Sequence, residues 1–245
     1  MFDFRDETTN EYANLRRYVD PASNKPYGIN HLKNNLSVLE YNYVPKFDSS
    51  LFMAVEKEDF LASHECAMLI DLAEKRNAWL SGQNTIPFWD ERNTPLFNLF
   101  MPLSDDTELA SLLLRIHDGL REFLSKEFND GREIYCDQIG IVRWPVGSWQ
   151  MTHIDHVDGY ERVCGSVVYL NDDYDGGETF YPFFEKSMKP KTGKVFAHSP
   201  DNEHLHGVTT IGKATRYTIS STWGTNPKVQ PYAEKIAMLR NKINS

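Results

Sequence analysis

EIYCDQIGIVRW (133–144), WQMTHIDHV (149–157), VCGSVVYLN (163–171), GETFYPF (177–183), GKVFAHS (193–199), HLHGVTTI (204–211) and RYTISSTW (216–223) follow one another through the second half of the chain. Each run is rich in the β-branched and aromatic residues that suit a pleated, half-buried surface, and Gly, Pro, Asn and Asp clusters separate them. The sharpest break, NDDYDGG (171–177), is a turn signal. Strands this short and this close together predict a sandwich or barrel, with no room for helices between successive strands.

Upstream of these runs the period becomes helical. Leu69, Leu72 and Ala73 recur behind Ser63 and predict a helix to about Trp79. Leu109, Leu113, Ile116, Leu120 and Phe123 follow steps of four and three after the capping candidates Ser104 and Asp105, so a second helix should lay its apolar stripe on a sheet. PYAEKIAMLRNKINS (231–245) is a weaker third helix. Residues 1 to about 34 are polar and turn-prone, and Leu36 to Val44 alternates as a strand would. The expected organisation is one domain: an arm and first strand over 1–50, supporting helices over 51–130, a β core over 131–226 and a terminal helix over 227–245.

With 40% hydrophobic and 25% charged residues, the 245-residue chain has the balance of a soluble globular protein. Lys and Arg number 26 against 35 Asp and Glu, and the formal charge of −9 argues against gripping a nucleic-acid backbone. There is no apolar stretch long enough to span a bilayer and no secretory leader, so a soluble, cytoplasmic protein is expected. Three widely spaced cysteines, Cys66, Cys136 and Cys164, predict buried reduced thiols and no disulfide framework.

Five of the eight histidines, His153, His156, His198, His204 and His206, fall in the β-rich half. His153-Ile154-Asp155 is an H-x-D, and in a strand residues i and i+2 share a face, so an imidazole and a carboxylate could grip one ion. A distal histidine would complete two His and one carboxylate, a set that leaves three positions open and suits non-haem Fe(II). Spacing alone does not separate His198, His204 and His206. If 204–206 is extended, His204 and His206 share a face, and at most one of them is a ligand. Arg216 would return to the same cavity if the chain turned at Ile211-Gly212-Lys213 into an antiparallel neighbour strand, where its guanidinium could take a carboxylate in a bidentate pair.

Five pieces in order, AVEKEDFLASHECAMLIDLAEK, RWPVGSWQMTHID, SVVYLNDDYDGGETFYP, KPKTGKVFAHSP and HGVTTIGKATRYTISSTW, give residues 54–223 a resemblance to the prolyl 4-hydroxylase alpha-subunit type of 2-oxoglutarate- and Fe(II)-dependent dioxygenase. The resemblance implies a double-stranded β-helix, or jelly roll, backed by helices. It implies His153, Asp155 and His206 as metal ligands and Arg216 as the residue holding the 5-carboxylate of 2-oxoglutarate. Tyr169 and Thr179 are further candidates for the cosubstrate pocket, Gly176 and Gly177 serve a turn, and Trp223 packs in the core. The implied cofactors are Fe(II), 2-oxoglutarate, O2 and ascorbate. The implied reaction splits O2, turns 2-oxoglutarate into succinate and CO2, and hydroxylates an unactivated C–H bond.

One departure stands at Trp144, where the family commonly has a tyrosine; an indole donates one hydrogen bond and accepts none. By resemblance the substrate is a proline in a peptide or protein, with Trp144, Trp149 and Tyr160 as aromatics that could line a groove; a free amino acid or another small molecule is the alternative. A cupin-type metal-binding or sugar-binding jelly roll would share the shape and the H-x-H of His204 and His206. It would also need a Glu where this chain has Thr210 and Ile211.

Overall fold

The structure, a computed structural model, describes residues 48–81, 92–99, 106–148, 150–155, 161–181, 183–201 and 203–244, with 80, 81, 92, 93 and 151–153 described by backbone alone. The expected arm and first strand up to residue 47, the capping candidates Ser104 and Asp105, and Trp149, His156 and Tyr160 lie outside the described residues.

Among the described residues, eleven strands and three α-helices follow one another: β1 (Ala54–Lys57), α1 (Ser63–Arg76), β2 (Leu80–Ser81), β3 (Arg92–Pro95), α2 (Thr107–Phe128), β4 (Tyr135–Trp144), β5 (Gln150–His153), β6 (Arg162–Tyr169), β7 (Thr179–Tyr181), β8 (Lys186–Met188), β9 (Val195–His198), β10 (His206–Val208), β11 (Arg216–Gly224) and α3 (Ala233–Ile243). They form a seven-stranded sheet in the order β1-β9-β6-β11-β4-β3-β2 and a four-stranded sheet in the order β5-β10-β7-β8. Every pairing among the described residues is antiparallel, and from β4 to β11 the chain passes back and forth between the sheets, apart from the β7–β8 pair within the small one. This is the jelly roll that the family resemblance implied; the short, closely spaced strands by themselves predicted a sandwich or barrel.

A period of two divides the large sheet chemically. Ile139 and Ile141 of β4, Cys164 and Val168 of β6, Val195 and Ala197 of β9, and Ile219 and Trp223 of β11 join the helices in one core. The alternate positions, Trp144, Tyr169, Phe196 and His198 among them, pack instead in clusters towards the small sheet. The helical face is closed by α2, whose Leu109, Leu113, Ile116 and Leu120 are buried; each fully buried leucine or isoleucine contributes about 1.5–3 kcal/mol. Trp223 is fully buried there, its indole N–H donating to Ser221 Oγ at 2.8 Å, as a packing residue should.

Helix ends differ from expectation by a few residues. The cap of α2 is Asp106, whose carboxylate accepts from Leu109 N at 2.8 Å, one position beyond Asp105. Ser63 is the first residue of α1 and does not cap it; the Glu65 carboxylate reaches back to Ala62 N at 2.9 Å. The helix stops at Arg76 because Asn77 adopts φ 46°, a left-handed stop that asparagine tolerates. Outside the sheet, Glu74 clamps α1 to β4 and β11, accepting from Arg143 Nη1 at 2.9 and 3.0 Å and from Tyr217 OH at 2.7 Å.

All three cysteines are buried and free. Burial pushes the Cys66 thiol up to about 11 and the other two higher still, so all three are protonated and inert at neutral pH. Among the described residues no helix is long and apolar enough to cross a membrane.

Candidate active site

Between the two sheets, Asp155, His198 and His206 bring one ligand atom each to within 4.8 Å of one another. Asp155 follows β5, His198 ends β9 in the large sheet and His206 opens β10 in the small one. His198 Nε2 lies 3.6 Å from Asp155 Oδ2, and His206 Nε2 lies 4.0 Å from Asp155 Oδ1. The two imidazoles meet edge to face, with centroids 4.3 Å apart. His153 is the register partner of His206 across the β5–β10 pair, which sets its backbone beside the cluster.

Neighbouring groups aim these donors. His206 Nδ1 donates to His204 O at 2.9 Å and His198 Nδ1 donates to Ser199 O at 3.0 Å, since a carbonyl can only accept. With the proton on Nδ1, each ring in its neutral form presents its lone pair on Nε2, towards the carboxylate. Arg162, itself paired with buried Asp137 at 2.8 Å, donates to the Asp155 backbone carbonyl at 2.8 Å and so pins the loop that carries the acid. Gly165 of β6 clears the space: a Cβ there would sit 2.4 Å from Asp155 Oδ2 and 3.3 Å from His198 Nε2.

The two carboxylate–imidazole approaches suit a cation. With metal–ligand bonds of about 2.1 Å, two donors on one ion are at most about 4.2 Å apart, and both carboxylate–imidazole distances fall inside that limit. His204 is not a donor. Its Nε2 accepts from Met53 N at 2.8 Å, and its Nδ1 donates to Asp201 Oδ1 at 2.5 Å. It sits in a turn before β10 and not on a strand face shared with His206, so the H-x-H of a cupin is not a metal pair in this chain.

Arg216 opens β11 and is 2% exposed. It reaches the cavity by a route other than the expected hairpin. β10 and β11 belong to different sheets, and β11 pairs with β4 and β6. The chain between them crosses over, held by the isolated bridge of Gly212 to Asp175, and Arg216 enters on the large sheet, which also carries His198. Its guanidinium lies 5.0 Å from the Trp144 ring centroid and 5.6 Å from that of Tyr169. Among the described residues no carboxylate pairs with it, and its Nε and Nη1 have no hydrogen-bond partner.

Among the described residues, five of the seven buried side-chain atoms without a partner belong to this one region: these two nitrogens and the hydroxyls of Tyr169, Tyr174 and Tyr181. Burial pushes all three phenols above their ordinary range, so they are neutral donors at physiological pH. Unpaired buried donors are rare in native proteins, and a concentration of them marks a place where a ligand supplies acceptors. Thr179, 3% exposed in β7, lies beside the Tyr169 hydroxyl. Gly176 and Gly177 turn the preceding loop with φ of 68° and 67°; a Cβ at Gly177 would strike the Tyr174 ring at 2.7 Å and Arg216 Cδ at 2.9 Å.

Sequence reasoning missed Tyr174, Tyr181, Gly165, Arg162 and the presence of His198 in the cluster. For His198 a signal existed, because Phe196 and His198 are two apart in β9 and occupy the face that the core-packed Val195 and Ala197 leave. Trp144 was expected to line a substrate groove. It is 4% exposed and forms a wall behind Arg216, its Nε1 donating to Thr218 Oγ1 at 3.4 Å.

No family model matches the chain. Over 194 residues it is 22% identical to a putative prolyl 4-hydroxylase of Acanthamoeba polyphaga mimivirus, covering 77% of this chain and 64% of the relative. A probable prolyl 4-hydroxylase of Arabidopsis thaliana is 24% identical over 193 residues, covering 67% and 66%. The chain thus spans a little under two thirds of the length of these curated relatives. Among solved structures, a viral collagen prolyl hydroxylase from Paramecium bursaria Chlorella virus-1 superposes with a TM-score of 0.51 at 18% identity, covering 71% of this chain and 97% of that one. A Pseudomonas putida prolyl-4-hydroxylase gives 0.54 at 16% identity, covering 72% and 95%. An oxidoreductase of the 2OG-Fe(II) oxygenase family from Burkholderia pseudomallei gives 0.50 at 17% identity, covering 70% and 84%. The chain has the jelly-roll fold of the 2-oxoglutarate- and Fe(II)-dependent oxygenases, and its resemblance to the prolyl 4-hydroxylases is shared by sequence relatives and structural neighbours alike.

Proposed function

We propose that this chain is a 2-oxoglutarate- and Fe(II)-dependent dioxygenase that hydroxylates an unactivated C–H bond, with a prolyl residue in a peptide or protein as its target. The observation that carries the reading is a pair of complementary features linked by packing. Asp155, His198 and His206 gather a carboxylate and imidazole nitrogens suited to a cation, Tyr181 packs against both imidazoles and clusters with Tyr169, and on Tyr169 lies the buried Arg216 guanidinium, with no carboxylate paired to it among the described residues. A small dicarboxylate that also chelates a metal satisfies both.

In this reading His153, Asp155 and His206 hold Fe(II), and Arg216 pairs with the far carboxylate of 2-oxoglutarate. Bound there, the iron supplies activation of O2, one oxygen atom of which ends in succinate and the other in the new hydroxyl. Arg216 fixes the far end of the cosubstrate, because a charge-assisted bidentate pair shielded from water is strong and directional. The Tyr169 hydroxyl, with Thr179 beside it, donates to the same carboxylate. Trp144 and Tyr169 lie against the guanidinium, which is almost wholly shielded from water. The peptide preference is supported by the prolyl hydroxylases among its relatives and by the low entropy cost of ordering an extended, proline-rich segment.

The test is succinate release under aerobic conditions with Fe(II), 2-oxoglutarate and ascorbate, against a panel of proline-containing peptides and free amino acids, with products examined by mass spectrometry. Gain of one oxygen atom on a prolyl residue is the expected result. Substrate-stimulated succinate with a free amino acid and no peptide product would overturn the peptide assignment. No succinate with any member of the panel, together with no binding of 2-oxoglutarate, would overturn the oxygenase reading itself.

A further inference from the structure

The proposed site leaves one buried hydroxyl beside Arg216 without a part, that of Tyr174 in the NDDYDGG loop. The Tyr174 ring packs with Trp144, Val142, Val208 and Ile211, and the residue is 7% exposed. The loop that carries it is tied down on both sides. Asp175 N donates to Gly212 O at 3.1 Å and Gly212 N to Asp175 O at 2.7 Å, while the Asn171 amide accepts from Tyr217 N and donates to Thr215 O, each at 2.8 Å. The bare Cα of Gly177 then lets the Tyr174 ring and the Arg216 stem close over it, at 2.7 and 2.9 Å from the place a Cβ would take.

Packing alone does not ask for that hydroxyl. A phenylalanine would fill the same cluster, and a buried hydroxyl without an acceptor costs free energy. Its neighbour does not satisfy it either, because a guanidinium has donors only and the phenol proton still needs an acceptor. The Tyr169 hydroxyl, Arg216 Nε and Arg216 Nη1 have the same need. Three side chains thus bring four donor atoms without partners to one region. Trp144 contributes its ring there, its N–H being given to Thr218 Oγ1. The complementary group is a carboxylate, which is acceptor-only and has about four lone-pair sites on its two oxygens.

We propose that Tyr174 is a further cosubstrate-binding residue, whose hydroxyl donates to the carboxylate held by Arg216 and so makes the pocket select a 2-oxo acid that ends in a second carboxylate. The inference rests on the proposed function in placing that carboxylate at Arg216.

Titration calorimetry of the Mn(II)-loaded protein with 2-oxoglutarate and with 2-oxobutanoate, which lacks the far carboxylate, measures this selectivity directly. Tyr174→Phe keeps the ring and removes the donor. It should weaken 2-oxoglutarate on the order of tenfold and leave 2-oxobutanoate unchanged, so the ratio of the two constants falls by the same factor. A ratio equal to that of the wild type overturns the proposal, whether both acids bind as before or both bind more weakly, the mark of a ring that only shapes the pocket. Should the phenylalanine variant not fold, a meta-fluorotyrosine placed at position 174 alone decides the matter in Zn(II)-loaded protein. Its fluorine resonance should move with 2-oxoglutarate and stay with 2-oxobutanoate, and an equal response to both overturns the proposal. Failure of the underlying reading looks different: the wild type would then bind the two acids equally tightly and Arg216→Ala would alter neither constant, which removes the proposal with it.

Discussion

At the scale of single residues, the cavity joins two kinds of demand: atoms that must converge and atoms that must stay away. Gly165 belongs to the second kind. Gly165→Ala should fold, because its strand is paired on both sides, yet place a methyl group against Asp155 Oδ2 and lower Mn(II) affinity on the order of 10- to 100-fold in an equilibrium titration. Arg216 belongs to the first. Arg216→Ala should raise the dissociation constant for 2-oxoglutarate by about 10- to 100-fold, the equivalent of about 1.5–3 kcal/mol, while leaving metal affinity nearly unchanged. Wild-type affinity for 2-oxoglutarate in that variant would remove the guanidinium from the cosubstrate site. These two residues were unequally legible. An arginine ten positions after His206 stands out once the motif pieces are aligned, whereas the bareness of Gly165 has meaning only after β5 and β9 have been brought over it.

At the scale of elements, the strands of the β core were readable because their alternation is clean, and α2 because its leucines keep a strict period. Leu113→Ala should cost about 2–5 kcal/mol by opening a cavity in the fully buried helix face, measured as a drop in denaturation midpoint, with the metal affinity of the remaining folded protein unaltered. β1, β3 and β8 were not anticipated. At three or four residues each they are too short to show a period, and they become strands only by pairing with β9, β4 and β7. The turn before β10 was misread for a related reason: His204 follows the alternation of a strand, but Asp201 and Met53 N–H take both its nitrogens and hold it in a turn. Burial alone would raise the Asp201 carboxyl; hydrogen bonds from His204 and Ser199 outweigh it and bring it down to about 2. A carboxyl depressed in the folded state stabilises it above the unfolded value of about 3.9, and that contribution disappears as pH falls towards 2. Asp201→Asn should therefore melt earlier than wild type at pH 5–7, with the gap closing below about pH 4. A gap that persists at low pH would show that the carboxylate charge is not what holds this turn.

At the scale of the whole molecule, the candidate site draws on both sheets, with residues that alternate between them along the chain. Asp155 and His206 belong with the small sheet, His198 and Arg216 with the large one. A ligand that spans the site should behave as a brace. Mn(II) with succinate should raise the melting temperature of the wild type more than either alone, and the succinate increment should vanish in Arg216→Ala. The division of the large sheet into a helix face and a cavity face carries an evolutionary consequence as well. Deleting one residue within β11 ahead of Trp223 would turn Arg216 out against α1 and bring Tyr217 inward, exchanging site and core in one event. Descendants of this chain can therefore explore the pocket by point substitution, or by length changes in the loops, while the strands themselves are closed to single-residue insertions and deletions.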